Sequence, residues 1–332
     1  MIRRREFLRQ VVAGAAAGAA GARSAGAEPP PETPRLRMSR TRFGICVAPK
    51  YVADEFLRAE GFSDIQYVEI ASNPEGFRAL AAGETDVETT FVPSFISRIE
   101  AGDPFVILAG LHAGCFELIG GPSVRAIRDL KGKSIGVGPE GGPDRAFVAS
   151  MLAHVGLDPR TDVRWVTLGV GESVARFAEG RVDAILGLPP VPQDVRARGI
   201  GHVVVNSATD RPWSQYFCCV VAANKTFVRR HPTATKRALR AIVKAIDVCA
   251  ADPATAARRL LNRGVAERYE LALQSLKDVP YARWREYDVE DSIRFYALRM
   301  HEAGMIKTNP KRIIAEGTDW RFLNELRKEL KG

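Results

Sequence analysis

The feature that most constrains this chain is an alternation of short apolar runs and amphipathic segments, met twice in succession. In the first block, residues 43–48, 65–70, 87–92 and 105–111 read as strands. Between them, residues 50–58, 75–82 and 93–99 place apolar side chains at helical spacing. In the second block, 134–137, 163–168, 182–186 and 202–205 are strands, and 141–155, 172–178 and 193–198 are helices. Alternation of this kind predicts parallel sheets covered by helices, and two blocks predict two such sheets. Beyond residue 223 the pattern turns helical: 227–250, 266–276, 289–303 and 320–330. A helical tail packed on the first block requires the chain to cross back near residues 207–217.

Composition agrees and excludes other classes. The 332 residues suit two units at about 150 residues each. With 46% hydrophobic and 26% charged residues the chain is globular in composition. No run of 18 strongly apolar residues occurs in the body, which excludes a polytopic membrane protein. Of the net charge of +9, residues 1–27 carry +4, from five Arg against Glu6, which leaves +5 on the other 305 residues. That excess is mild, and no nucleic-acid-binding signature accompanies it.

The N-terminus reads as an export signal over residues 1–27. Arg3, Arg4 and Arg5 precede a Val/Ala/Gly stretch, and Ala25-Gly26-Ala27 is a small-x-small cleavage site after about Ala27. Arg4-Arg5-Glu6-Phe7-Leu8-Arg9 resembles the twin-arginine motif. Residues 28–39, with Pro29-Pro30-Pro31, read as a linker. Export implies an oxidising compartment. The five cysteines, Cys46, Cys115, Cys218, Cys219 and Cys249, show no C-x-x-C spacing and sit mostly in apolar runs. They read as buried free thiols, with no metal site: Cys218 and Cys219, adjacent on a strand, point to opposite faces.

Four segments carry a family resemblance. They are Phe77 through Val87 with Gly83 and Asp86; Ile127 through Val137 with Asp129-Leu130-Lys131-Gly132-Lys133; Gly156-Leu157-Asp158-Pro159 with Asp162-Val163; and Ala178 through Ala184 with Gly180 and Asp183. Together they resemble the periplasmic solute-binding proteins of ABC importers, in the nitrate, sulfonate, taurine and thiamine-pyrimidine-precursor group. Each motif also has a structural reading, as a turn, helix stop or strand start, and none is assigned a ligand contact.

The resemblance implies an α/β, two-lobe, type II periplasmic-binding (Venus-flytrap) fold with a helical C-terminal extension on lobe 1. Lobe 1 would comprise 40–116 plus 218–332, and lobe 2 would comprise 117–217. Ligand would bind between the lobes, which close by hinge motion. Because ligands sit beyond the carboxyl ends of strands in open α/β sheets, the candidate contacts follow strands. Lobe 1 and the first crossing supply Lys50, Tyr51, Ser94, Phe95, His112 and Cys115. Lobe 2 supplies Glu140, Gly141, Gly142, Asp144 and Pro189, and the return crossing supplies Arg211, Trp213 and Tyr216. Lys50 and Arg211 would meet an anionic group; Ser94 opens a helix; Trp213 and Tyr216 would enclose a ring or alkyl group. Asp144 stands where the family often has Ser or Thr. A carboxylate there repels anions and favours a cationic, zwitterionic or neutral polar ligand.

The expected function is periplasmic capture of a small organic metabolite for an ABC permease in the inner membrane, by a monomer with no cofactor and no nucleic-acid partner. Alternatives on the same scaffold are an enzyme, pyrimidine-synthase-like or decarboxylase-like, and a solute sensor for a membrane receptor. No Gly-x-Ser-x-Gly elbow or His-Glu-x-x-His motif supports catalysis.

Overall fold

The computed structural model describes residues 28–41, 44–140, 143–169 and 171–330. The expected export signal therefore lies outside the described residues, as do Gly141 and Gly142. None of the described helices is long and apolar enough to cross a membrane.

Residues 31–332 form one compact unit holding two five-stranded sheets. The first sheet has the order β2-β1-β3-β10-β4, with β1 at Arg35–Arg40, β2 at Asp64–Glu69, β3 at Val87–Phe91, β4 at Phe105–Ala113 and β10 at Phe217–Asn224. The second has the order β7-β6-β8-β5-β9, with β5 at Glu117–Gly120, β6 at Ser134–Val137, β7 at Arg164–Thr167, β8 at Ala184–Gly187 and β9 at His202–Asn206. In each sheet one internal strand is antiparallel to both neighbours: β10 in the first, β5 in the second. Each is the strand that enters from the other lobe. The result is the two-lobe periplasmic-binding fold.

Helices cover the strands in chain order: α1 Ala48–Val52, α2 Asp54–Ala59, α3 Asn73–Ala82 and α4 Val92–Glu100 in lobe 1, then α5 Pro143–His154, α6 Glu172–Ala178 and α7 Val191–Ala197 in lobe 2. The C-terminal region adds α8 Lys225–Arg230, α9 Pro232–Ala251, α10 Pro253–Asn262, α11 Tyr269–Asp278, α12 Val289–Glu302, α13 Pro310–Gly317 and α14 Arg321–Glu329. It packs on lobe 1 through α9, whose buried face includes Leu239, Ile242, Val243, Ile246 and Cys249. It also reaches lobe 2: α12 meets α5, and α11 meets α7.

Two expectations are corrected. The segment 28–39, read as a linker, contains most of β1. Its Arg-Leu-Arg-Met-Ser-Arg sequence alternates, with Leu36 and Met38 fully buried and Arg35 outward, the pattern of a half-buried strand. The run 43–48, read as the first strand, instead holds a 3-10 turn at Ile45–Val47 and the start of α1. Pro49 at the head of α1 fits a helix start rather than a strand interior.

The sequence motifs act as strand starters. Asp86 accepts bonds from the backbone N–H of Arg37 (2.8 Å) and from its guanidinium (2.6 and 3.2 Å). In lobe 2, Asp183 accepts from the N–H (2.8 Å) and hydroxyl (2.6 Å) of Ser134. The same device thus aligns the first parallel pair in each lobe. Gly132, at φ +74°, takes the left-handed turn that launches β6. Gly114, at φ +37°, lies where the crossings meet: a Cβ there would stand 2.2 Å from the Ser207 carbonyl oxygen.

Candidate functional site

A cavity of about 30 Å³ lies between the lobes, past the carboxyl ends of β1 and β2 and alongside β3. Lobe 1 lines it with Lys50, Asn73, Glu88, Thr89 and Cys46; lobe 2 contributes Leu188, and the first crossing Phe116. The lobes are in contact around it. The Ile45 N–H donates to the Pro189 carbonyl at 3.2 Å. Phe147 of α5 meets Phe91 of β3 edge-on at 4.9 Å. At the rim, Arg196 of α7 bridges Glu117 and Asp278, Gln193 donates to Asp278 at 2.9 Å, and Arg268 pairs with Asp194 at 3.2 Å. These bonds join lobe 2 to α11 and the loop before it. The space is far below that of a drug-sized ligand site, so an organic solute enters only when the lobes part.

The polar wall is charge-balanced. Lys50 is 1% exposed; its Nζ donates to Ser39 Oγ (2.7 Å) and Glu88 Oε1 (3.1 Å). Glu88 Oε1 also accepts from the Thr89 N–H at 2.7 Å. Burial alone would lower the Lys50 pKa, but the Glu88 carboxylate outweighs it and holds the ammonium above its ordinary value. Thr89 Oγ1 and Ser94 Oγ are buried and lack a hydrogen-bond partner, which leaves polar capacity near the cleft.

At this wall, through Cys46 and Cys219, and behind it, four ligand-type side chains converge. One ligand atom each from Cys46, His112, Cys115 and Cys219 lies within 4.8 Å of the others, and all four residues are buried. The five cysteines are free, but the expectation that Cys218 and Cys219 point apart is corrected: β10 has register irregularities at this point, and the Cys218 sulfur stands 4.0 Å from that of Cys219 and 3.3 Å from that of Cys115. The reading along the chain gives no metal site and does not anticipate that four donor atoms come together here. Cys46 and Cys115 arrive from other elements, a convergence that spacing along the chain does not reveal. Burial would lower the His112 pKa, but the facing thiols of Cys219 and Cys46 raise it to about 10.

Other candidates lie elsewhere. Tyr51 accepts from the Thr41 N–H at 3.0 Å and lines a separate hollow of about 380 Å³ on lobe 1 with Arg40, Tyr67 and Arg263. That larger hollow does not lie between the lobes: no lobe 2 residue lines it, and its arginines are engaged by Glu69 and Asp54. Phe95 packs in the lobe 1 core against Phe77 and Phe105. Glu140 and Arg211 are exposed and do not line the cavity. Asp144 accepts from the Gly138 N–H; burial raises its pKa against the pull of that amide. Its role is to tie the loop to α5.

Trp213, expected against ligand, is 2% exposed and packs against Phe147 (5.4 Å), His154 (5.3 Å) and Phe295 (5.9 Å). Tyr216 stacks on Phe295 at 3.9 Å. Both belong to an aromatic layer under the hinge rather than to the cavity. Sequence reasoning missed Glu88, Thr89 and Asn73. A carboxylate inside Val-Glu-Thr-Thr-Phe, a strand buried throughout, was the available signal for the first.

A family model described as the NMT1-like family matches residues 31–262. The chain belongs to the NMT1-like family. No curated protein matches it. Among solved structures, it is similar to the periplasmic nitrate-binding protein NrtA from Synechocystis PCC 6803, at 16% identity and TM-score 0.73, covering 91% of this chain and 90% of that one. It is similar to the alkanesulfonate-binding protein SsuA from Xanthomonas axonopodis pv. citri, at 18% identity and TM-score 0.67, covering 86% and 96%. A Candida albicans protein with the generic periplasmic binding protein fold matches at 14% identity and TM-score 0.69, covering 86% and 96%. These likenesses establish the fold of this family member.

Proposed function

We propose that the chain is the extracytoplasmic solute-binding component of an ABC importer, and that its cargo is a compact neutral or zwitterionic organic solute. The observation that carries this is the lobe 1 wall. Lys50 and Glu88 neutralise each other there, beside unsatisfied hydroxyls and an apolar face from Phe91, Phe116 and Leu188. Among the described lining residues a dianion would find no uncommitted cation and would face Glu88. A solute with its own separated charges, or none, replaces buried polar partners without leaving net charge behind. Residues 1–27 would direct export, by the twin-arginine route, and the closed form would be presented to a permease.

Titration calorimetry with zwitterionic, neutral and dianionic organic solutes tests the charge class, and small-angle scattering tests the motion. A captured solute should raise the melting temperature and shrink the radius of gyration. Preference for dianions would overturn the cargo class. Saturable binding with unchanged scattering, or turnover of the bound compound, would overturn the transport reading.

A further inference from the structure

We propose that Cys46, His112, Cys115 and Cys219 form a tetrahedral binding site for a zinc-class divalent ion at the root of the hinge. The inference goes beyond solute capture and does not depend on it. Cys46 lies in the 3-10 turn Ile45–Val47, His112 on β4, Cys115 in the crossing just past β4, and Cys219 on β10 paired in register with His112. Their ligand atoms lie within 4.8 Å of one another. A tetrahedron with metal–sulfur bonds of about 2.3 Å and metal–nitrogen bonds of about 2.0 Å has edges of about 3.5–3.8 Å. An ion therefore asks the set to contract by about 1 Å at most.

His112 supplies an independent observation. Its Nδ1 faces the Ala113 carbonyl at 3.2 Å, which suits an N–H donated to that oxygen. In the neutral ring Nε2 is then the nitrogen with the free electron pair, and it is buried with no hydrogen-bond partner. A ligating histidine is arranged in this way, one nitrogen fixed by a carbonyl and the other presented to the ion. Three thiols and an imidazole favour zinc-class ions over magnesium or calcium.

On binding, the three cysteines and the His112 ring give up their bound protons to solvent, so three thiolates, a neutral imidazole and the divalent ion leave the filled site with one net negative charge. The ion would join the turn after β1, the first crossing and the strand that ends the return crossing. Lobe 1 would then hold both connections to lobe 2 at one point. A Cys115–Cys218 disulfide would compete, because those sulfurs stand 3.3 Å apart.

The test uses the full chain, reduced and metal-stripped, titrated with cobalt(II) and then zinc. One equivalent of cobalt should produce the visible bands of a tetrahedral site with sulfur-to-metal charge transfer, and zinc should abolish them. Cys46→Ser and Cys219→Ser should weaken zinc binding by about a hundredfold or more, since even second-shell changes cost tenfold to a hundredfold. Cys249→Ser, whose thiol is not among the four, should bind as wild type does. The wild-type spectrum decides even if a ligand variant fails to fold: no tetrahedral spectrum overturns the proposal. Undiminished binding in folded Cys46→Ser and Cys219→Ser would also overturn it, as would a Cys115–Cys218 disulfide in protein recovered from cells.

Discussion

The two walls of the cleft differ in chemistry although they rest on sheets of the same topology. Lobe 1 presents an ion pair, threonine hydroxyls, an asparagine and two thiols. Lobe 2 presents the Leu188 side chain and, at Pro189, a backbone carbonyl. The parting of roles follows from what each strand end is followed by. In lobe 1, β3 carries Glu88, Thr89 and Thr90 up to the cleft; in lobe 2, β8 runs into Leu188-Pro189-Pro190. On the proposed reading, lobe 1 would hold the determinants of recognition; lobe 2 covers them and is tied to α11 by the Arg196–Asp278 bridge.

The largest expected effect lies in the lobe 1 wall. Lys50→Met leaves the Glu88 carboxylate buried and unpaired, which should cost about 3–5 kcal/mol in urea unfolding. Adding Glu88→Gln should restore a good part of that. Equal losses in the single and double variants would show that the pair is not the issue. Next comes the aromatic layer. Trp213→Ala should cost about 3–5 kcal/mol of apo stability and leave solute affinity nearly unchanged. Normal apo melting with weak binding would move Trp213 back into the site.

A smaller effect belongs to the rim. Asp278→Ala removes one of two acidic partners of Arg196 and the partner of the buried Gln193; the Arg196–Asp278 pair is partly exposed, so about 1 kcal/mol of closure is lost. The result should be a larger apo radius of gyration and a roughly fivefold weaker solute affinity. An unchanged radius would assign closure to the apolar contacts alone. The smallest effect lies in lobe 2. Burial raises the Asp183 pKa, but the Ser134 hydroxyl and amide outweigh it and hold the carboxyl below its ordinary value. Its contribution to stability is therefore present above the unfolded value of about 3.9 and lost as pH falls through the lower folded value. Asp183→Asn should melt below wild type at pH 7, and the gap should close in strong acid. A gap independent of pH would refute the charge argument.

The order of elements was legible in the sequence because strand and helix periods differ. β1 was not, because its arginines and the prolines before it mask a two-residue period carried by Leu36 and Met38 alone. At the site, Lys50, Ser94, His112 and Cys115 could be singled out by their places after strands or at crossings. Trp213 could be placed at the return crossing, but not on one side of it. Which face an aromatic at a hinge presents depends on α5 and α12, which lie far away in the chain. The meeting of Cys46 with Cys219 likewise depends on β10 returning beside β4.

That return also fixes an order of assembly. All five strands of the second sheet lie within residues 117–206, so lobe 2 has its complete set as soon as that stretch is made. The first sheet cannot close then, since β4 reaches it only through β10, and β10 begins at Phe217. During synthesis the earlier lobe in the chain is thus the later one to finish. Until residue 224 emerges, Phe105–Ala113 is an apolar strand without its neighbour, and it needs shelter from other chains over that interval.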